Sequence, residues 1–239
     1  MQFVRPTLPR LARALGEIGR DFYARGWVLG TSGNFSAVVS RVPLRLAITA
    51  SSVSKGALRT RDVLVIDEAG TTVRGGPGRP SAEAVLHVAI ARARGASAVL
   101  HTHSVWSTTL SELHGPSGGL HLAGLEMLKG LEGVRSHEHR EWMPILDNDQ
   151  DIGALAGRVR AMLVSSPAVH GFLLRGHGMY TWGDDLAQAK RHVEIFEFLL
   201  ETVGRMQWLS GPQRQAAGRR EAPVASTIPA GTGRLGHQE

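Results

Sequence analysis

The apolar run Ala98-Val99-Leu100 leads directly into His101-Thr102-His103. Such a run reads as a buried strand, and on a strand residues i and i+2 share a face. The chain must therefore fold so that one end of an interior strand carries two imidazoles on the same side. Two such histidines can reach one metal ion, or they can simply be half-buried strand residues. A metal would need a third ligand. His177 is the best candidate, because it lies between Gly176 and Gly178 at the junction of two expected strands, where crowding favours small neighbours. Of the other histidines, His87 and His192 sit within expected helices. His114, His121, His137, His139 and His170 lie in loops or at element ends, and His237 is near the end of the chain.

Around this strand the pattern alternates between helix and strand signals. Leu8, Leu11, Leu15, Ile18 and Phe22 recur at spacings of three and four, which predicts a helix over 8–25 stopped by Gly26. Strands are expected at 35–39, 44–49 and 63–66, with a hairpin turn at 67–70 leading into 71–73. Ser81 is the expected N-cap of a helix to Ala93. A strand covers 98–103, and 120–131 reads as a short helix-like stretch. A helix led by Asp149 and Asp151 runs to Val164, strands cover 169–174 and 179–182, and Asp184 caps a long helix. The expected domain is 1–209, an α/β unit with a mostly antiparallel central sheet. Residues 210–239, rich in Gly, Pro, Ala and Arg without an apolar period, are expected to form a disordered tail.

Composition narrows the chemistry. The 239 residues contain no cysteine, which excludes a disulfide scaffold, a Cys-based zinc site and a thiol nucleophile, while 11 His remain. The net charge of +6 first suggests an acidic partner. Yet Lys55, Lys129 and Lys190 are the only lysines, and the arginines are scattered without a run of like charge. That pattern argues against nucleic acid. No stretch approaches the roughly 20 apolar residues needed to span a bilayer, and the N-terminus lacks a signal-peptide pattern. The expectation is a soluble, cytoplasmic protein.

Two glutamates could serve as acid or base. Glu83 follows Pro80-Ser81-Ala82 at a helix start, where it could equally complement the helix dipole. Glu126 sits in the apolar stretch Gly124-Leu125-Glu126-Met127-Leu128, where desolvation would raise its pKa, unless it shares a solvated face with Lys129. Three polar segments could hold an anion: Thr31-Ser32-Gly33-Asn34, the loop from Thr49 through Ser51 and Ser52 to Lys55, and Ser81 ahead of its helix.

Taken in order, G-T-S-G-N-F-S, I-T-A-S-S, P-S-A-E, H-T-H-S and a late H-G resemble the class II aldolase/adducin family over roughly residues 8–208. Further stretches are similar to the branch of that family that dehydrates 5-methylthioribulose 1-phosphate in methionine salvage. These are L-E-M-L-K-G-L-E-G (125–133), D-N-D-Q-D-I (147–152), R-G-H-G-M-Y-T-W-G (175–183) and K-R-H-V-E-I-F-E-F-L-L (190–200). The resemblance implies a three-layer α/β/α fold, one zinc ion per subunit on His101, His103 and His177, and a homotetramer with active sites between subunits. It places the dehydratase acid/base on Glu126 and the aldolase acid/base on Glu83. Phosphate contacts fall on Ser32, Asn34, Ser51, Ser52 and Ser81, with Lys55 nearby.

The chain departs from the family in two places that matter. Ser52 stands where the family usually has glycine, so a backbone with φ > 0 there would be strained. Glu83 stands where human-type dehydratases carry cysteine. The implied reaction is a β-elimination in which Glu126 removes the C3 proton and the C4 hydroxyl leaves as water. A sugar-phosphate aldolase or epimerase using Glu83, and a catalytically silent adducin-like module, are the alternatives.

Overall fold

The computed structural model describes residues 7–220, with side chains as far as Ser210. The chain divides into two compact units, Met1–Gly204 and Arg205–Glu239. Within the first, nine strands form one sheet: β1 (Asn34–Arg41), β2 (Leu44–Thr49), β3 (Val63–Ile66), β4 (Thr72–Arg74), β5 (Ala98–Thr102), β6 (Gly119–Ala123), β7 (Arg140–Leu146), β8 (Gly171–Leu174) and β9 (Gly178–Gly183). Their spatial order is β4-β3-β2-β1-β5-β9-β8-β7-β6. Every pairing is antiparallel except β7 with β8. The expected α/β class with a mostly antiparallel sheet is therefore met, and β5, which carries His101 and is followed directly by His103, lies at the centre.

Helices cover both faces: α1 (Leu8–Ala24), α2 (Ala84–Arg94), α3 (Val105–His114), α4 (Ile152–Ser165) and α5 (Leu186–Arg220). The alternation of β5 sorts its side chains between two cores. Ala98 and Leu100 join Leu11, Leu15, Ile18 and Phe22 of α1, Leu110 of α3, and Val193, Phe196 and Leu200 of α5. Val99 faces the other way, with Leu86 and Ile90 of α2 and Leu155, Val159 and Leu163 of α4. Full burial of a side chain such as Leu15 or Phe22 contributes about 1.5–3 kcal/mol. By the same alternation His101 shares the face of Val99 and points toward α2, whereas Thr102 points toward α5.

Local chemistry explains the element boundaries. The hairpin between β3 and β4 is held by Asp67, whose Oδ1 accepts from the Ala69 and Thr71 amides at 3.0 and 2.9 Å. Asp151 caps α4 by accepting from the Ala154 amide at 2.9 Å. Three expectations need correction. The 120–131 stretch is not a helix: it splits into β6 and a short 3-10 turn at Glu126–Gly130, because Gly124 takes φ +72° between them. The helix predicted from Ser81 starts at Ala84 with Glu83 at the N-cap, and Ser81 Oγ accepts the Glu83 amide at 3.3 Å one turn earlier. The cap of α5 is Asp185, which accepts from the Gln188 amide at 2.7 Å, rather than Asp184.

The tail expected from 210 falls on the helical backbone of α5 as far as Arg220, and from 221 onward it lies outside the described residues. No helix among the described residues is long and apolar enough to cross a membrane.

Candidate metal centre

Three segments meet at the C-terminal end of β5. His101 is its penultimate residue and is fully buried, while His103 follows the strand and is partly exposed. His177 occupies the turn between β8 and β9, where its amide donates to the Leu174 carbonyl at 3.1 Å and its own carbonyl accepts from Thr108 Oγ1 at 3.0 Å. A ligating atom from each of the three rings lies within 4.8 Å of the other two. The Nε2 atoms of His101 and His103 are 2.7 Å apart. The histidines singled out in the sequence are thus brought together, and the group could hold a metal ion.

The surroundings favour neutral, oriented ligands. His101 Nδ1 donates to the Met179 carbonyl at 2.9 Å, which leaves Nε2 with its lone pair toward the group. The His101 ring stacks on Tyr180, centroids 3.9 Å apart at 12°. Burial holds the His101 ring well below the ordinary histidine range and pushes His103 down to about 4. Neutral imidazoles crowded this closely and short of hydrogen suit a divalent cation, so the donor set fits. Close approach is enforced by Gly178, where a Cβ would run into the Thr102 carbonyl oxygen. Gly178→Ala is expected to cost at least about 1–3 kcal/mol through overpacking, read as a lowered denaturant midpoint.

Glu83 completes the cluster from the start of α2. Its Oε1 lies 3.1 Å from His177 Nε2 and its Oε2 3.8 Å from His101 Nε2. Burial alone would raise its pKa, but the His177 hydrogen bond, the neighbouring imidazoles and the Asn34 amide reverse this and hold the carboxyl well below its usual range. Asn34 Nδ2 donates to Glu83 Oε2 at 2.8 Å.

Glu126 has a different setting. Its side chain is 71% exposed and pairs with Lys129 Nζ at 2.5 Å, with His137 Nδ1 at 3.8 Å. The Lys129 hydrogen bond lowers its pKa. The expected desolvation is therefore not present within this chain: the apolar neighbours Leu125 and Leu128 turn toward the core while Glu126 faces outward on the 3-10 turn.

Two of the three segments expected to hold an anion are joined by Lys55, which is buried against sequence expectation for a lysine. Its Nζ donates to the Thr31 carbonyl at 3.0 Å and to the Val53 carbonyl at 2.9 Å, tying the first polar loop to the second. Burial pushes its pKa down to about 8 despite the nearby Glu83. Ser32 Oγ donates back to the Leu29 carbonyl at 2.8 Å, the Ser51 amide donates to the Arg79 carbonyl at 2.9 Å, and Ser81 Oγ reaches Glu83 Oε2 at 3.4 Å. Ser52 has φ +60°, the one positive φ of a non-glycine residue among the described residues, as its occupancy of a glycine position implied.

Sequence reading gave no site role to Asn148, whose Oδ1 lies 3.3 Å from His177 Nδ1, nor to Tyr180 or His87. Asn148 carries a local signal, the D-N-D-Q run. The other two are a strand aromatic and a helix histidine, and their place depends on packing alone.

Comparison with known proteins agrees with this geometry. The family profile described as "Class II Aldolase and Adducin N-terminal domain" matches residues 13–203. The methylthioribulose-1-phosphate dehydratase of Azotobacter vinelandii is 44% identical over 207 residues, covering 86% of this chain and 98% of that protein. The protein of the same name from Methylococcus capsulatus is 45% identical over 196 residues, covering 82% and 93%. Among solved structures, L-fuculose-1-phosphate aldolase from Thermus thermophilus superposes with a TM-score of 0.67 at 25% identity, covering 86% of this chain and 99% of that one.

Proposed function

From the premise that the chain belongs to the class II aldolase and adducin family, we propose that it dehydrates 5-methylthio-D-ribulose 1-phosphate to 2,3-diketo-5-methylthiopentyl 1-phosphate, the methionine-salvage step for which its relatives are named. The observation that carries this reading is the convergence of His101, His103 and His177 beside Glu83. We assign one zinc ion per subunit to the three histidines. When bound there, zinc supplies a Lewis acid that polarises the C2 carbonyl and favours negative charge next to it.

The chain's own residues do the rest. Glu126 takes the proton from C3 and returns it to the departing C4 hydroxyl, so that C3–H and C4–OH leave together as water. The enol that remains tautomerises to the diketone. Glu83, kept ionised and fixed by Asn34, faces the histidines as the second carboxylate of the site. Ser32, Asn34, Ser51, Ser52 and Ser81 form the phosphate-binding surface, with Lys55 placing a positive charge beneath two of the loops. Because Glu126 is exposed and paired only with its near neighbours Lys129 and His137, this mechanism requires a second copy of the chain to bring it over the histidines. That need supports sites between subunits, and we take the assembly to be the homotetramer that the family resemblance implies. We further assign residues 1–209 to the catalytic domain and 210–239 to a tail, and place the enzyme in the cytoplasm as a soluble protein, with neither nucleic acid nor membrane as partner.

Incubation with methylthioribulose 1-phosphate tests the reaction. Formation of the diketone, with no release of dihydroxyacetone phosphate, is the expected result. Release of dihydroxyacetone phosphate would instead assign the site to retro-aldol chemistry with Glu83 as acid/base.

A further inference from the structure

Behind Glu83 and Asn34 lies a buried line of polar groups, His87, Ser36 and Tyr180, with no role in the reaction as written above. His87, one turn along α2 from Glu83, is fully buried. Its Nε2 contacts Asn34 Oδ1 in a very short hydrogen bond, and its Nδ1 lies 2.8 Å from Ser36 Oγ. Asn34 and Ser36 share one face of β1, so a single ring bridges both to α2. The same ring stands edge-on to Tyr180, centroids 5.8 Å apart, and Tyr180 stacks on His101.

The direction of every bond in this line follows from one end. Asn34 Nδ2 donates to Glu83 Oε2 at 2.8 Å, which leaves the Asn34 carbonyl oxygen facing His87. That oxygen needs a donor, which places the His87 proton on Nε2. Nδ1 is then an acceptor, and the Ser36 hydroxyl donates to it. With the ring neutral, as burial of His87 favours, no other arrangement serves Asn34, His87 and Ser36 together.

We propose that His87 is a positioning residue whose Nε2–H locks the Asn34 side-chain amide in the orientation that presents its NH2 to Glu83. One amide hydrogen fixes the carboxylate beside the histidine group. The second stays available to a phosphate in the Thr31–Asn34 loop. Without the lock the amide can turn over, and its carbonyl oxygen then opposes the carboxylate and any bound phosphate alike. This inference rests on the proposed dehydration, because its readout is that reaction.

Two amide variants separate the ends of the ring. A glutamine amide reaches about as far as Nε2 and can still donate to Asn34, whereas asparagine reaches only the Nδ1 position near Ser36. His87→Asn is expected to lower kcat/KM about ten- to one-hundredfold, the size of one hydrogen bond in a chain ending on a charge. His87→Gln is expected to stay within about threefold of the parent, on the same hydrogen-bond reasoning. Zinc content should remain that of the parent protein in both, since the three ligands are untouched. In an Asn34→Ala background His87→Asn should cost less than about twofold more, because its effect passes through the missing amide.

A purely structural His87 would give additive losses, or equal losses for glutamine and asparagine, and either result overturns the proposal. Should His87→Asn fail to fold, the Gln variant with and without Asn34→Ala decides: a marked loss in His87→Gln alone overturns it. If the parent protein itself forms no diketone, the proposed reaction fails and the positioning claim is not what failed.

Discussion

His101→Ala is expected to abolish dehydration, by at least about a thousandfold, and to leave the purified protein without stoichiometric zinc. The reason lies in where the ring sits. His101 is the only fully buried member of the three, anchored through Nδ1 on the Met179 carbonyl and stacked on Tyr180. It is therefore the proposed ligand whose geometry is least adjustable, and the two remaining histidines stand outside the strands, after β5 and in the β8–β9 turn. Alanine removes both a proposed ligand and the ring against which His103 and His177 converge. Losing a neighbour outside the ligand shell commonly costs about 10–100-fold in affinity or activity, so losing the innermost ligand should cost more. Metal analysis of the dialysed variant, together with diketone formation, is the check. Retention of one zinc per chain with turnover within about tenfold of the parent would remove the histidine group from the mechanism.

Much of this site was legible in the sequence because its signals are local. The i, i+2 spacing on an apolar strand places His101 and His103 on one face without knowledge of the rest of the fold. Glycines on both sides of His177 signal a crowded junction, and Gly178 indeed packs on the Thr102 carbonyl. Ser52 could be marked in advance only through the resemblance, because the family usually has glycine there, and its φ is +60°. What escaped depends on distant partners. The strand β7 reads poorly because its sequence R-E-W-M-P-I-L mixes charge with a proline, and its pairing to β8 forms only once the sheet is assembled. The helix α3 has a weak pattern, as Val105 and Leu113 stay exposed while small residues such as Ser107 and Ser111 are buried. His87 looked like any helix residue, because nothing near it in sequence shows that Asn34 and Ser36 will close over it. Glu126 is the converse: an apolar sequence neighbourhood suggested burial, but on a 3-10 turn adjacent residues face different ways.

Glu126→Gln is expected to lower turnover about a thousandfold with zinc still bound, and its partner experiment carries more information than the loss itself. Within one chain Glu126 is tied to Lys129 and His137 on an exposed turn, and none of the three clustered histidines is among its partners. If the acid/base acts at all, it must act on substrate held by another copy's histidines. A His101→Ala chain retains Glu126, and a Glu126→Gln chain retains its histidines. Each is inactive alone, yet a site formed by the histidines of the second and the glutamate of the first is complete. Refolding or exchanging the two variants in equal amounts should restore about a quarter of the parent's activity, the random share of complete sites in a closed symmetric oligomer. Sites built within a single chain would give no recovery, because every chain in the mixture carries a lesion. Such a result, with mixed oligomers verified by differently tagged subunits, would place Glu126 and the histidines of one site in the same chain. A Glu126→Gln chain that keeps its turnover would instead return the acid/base role to Glu83, the carboxylate already beside the histidines.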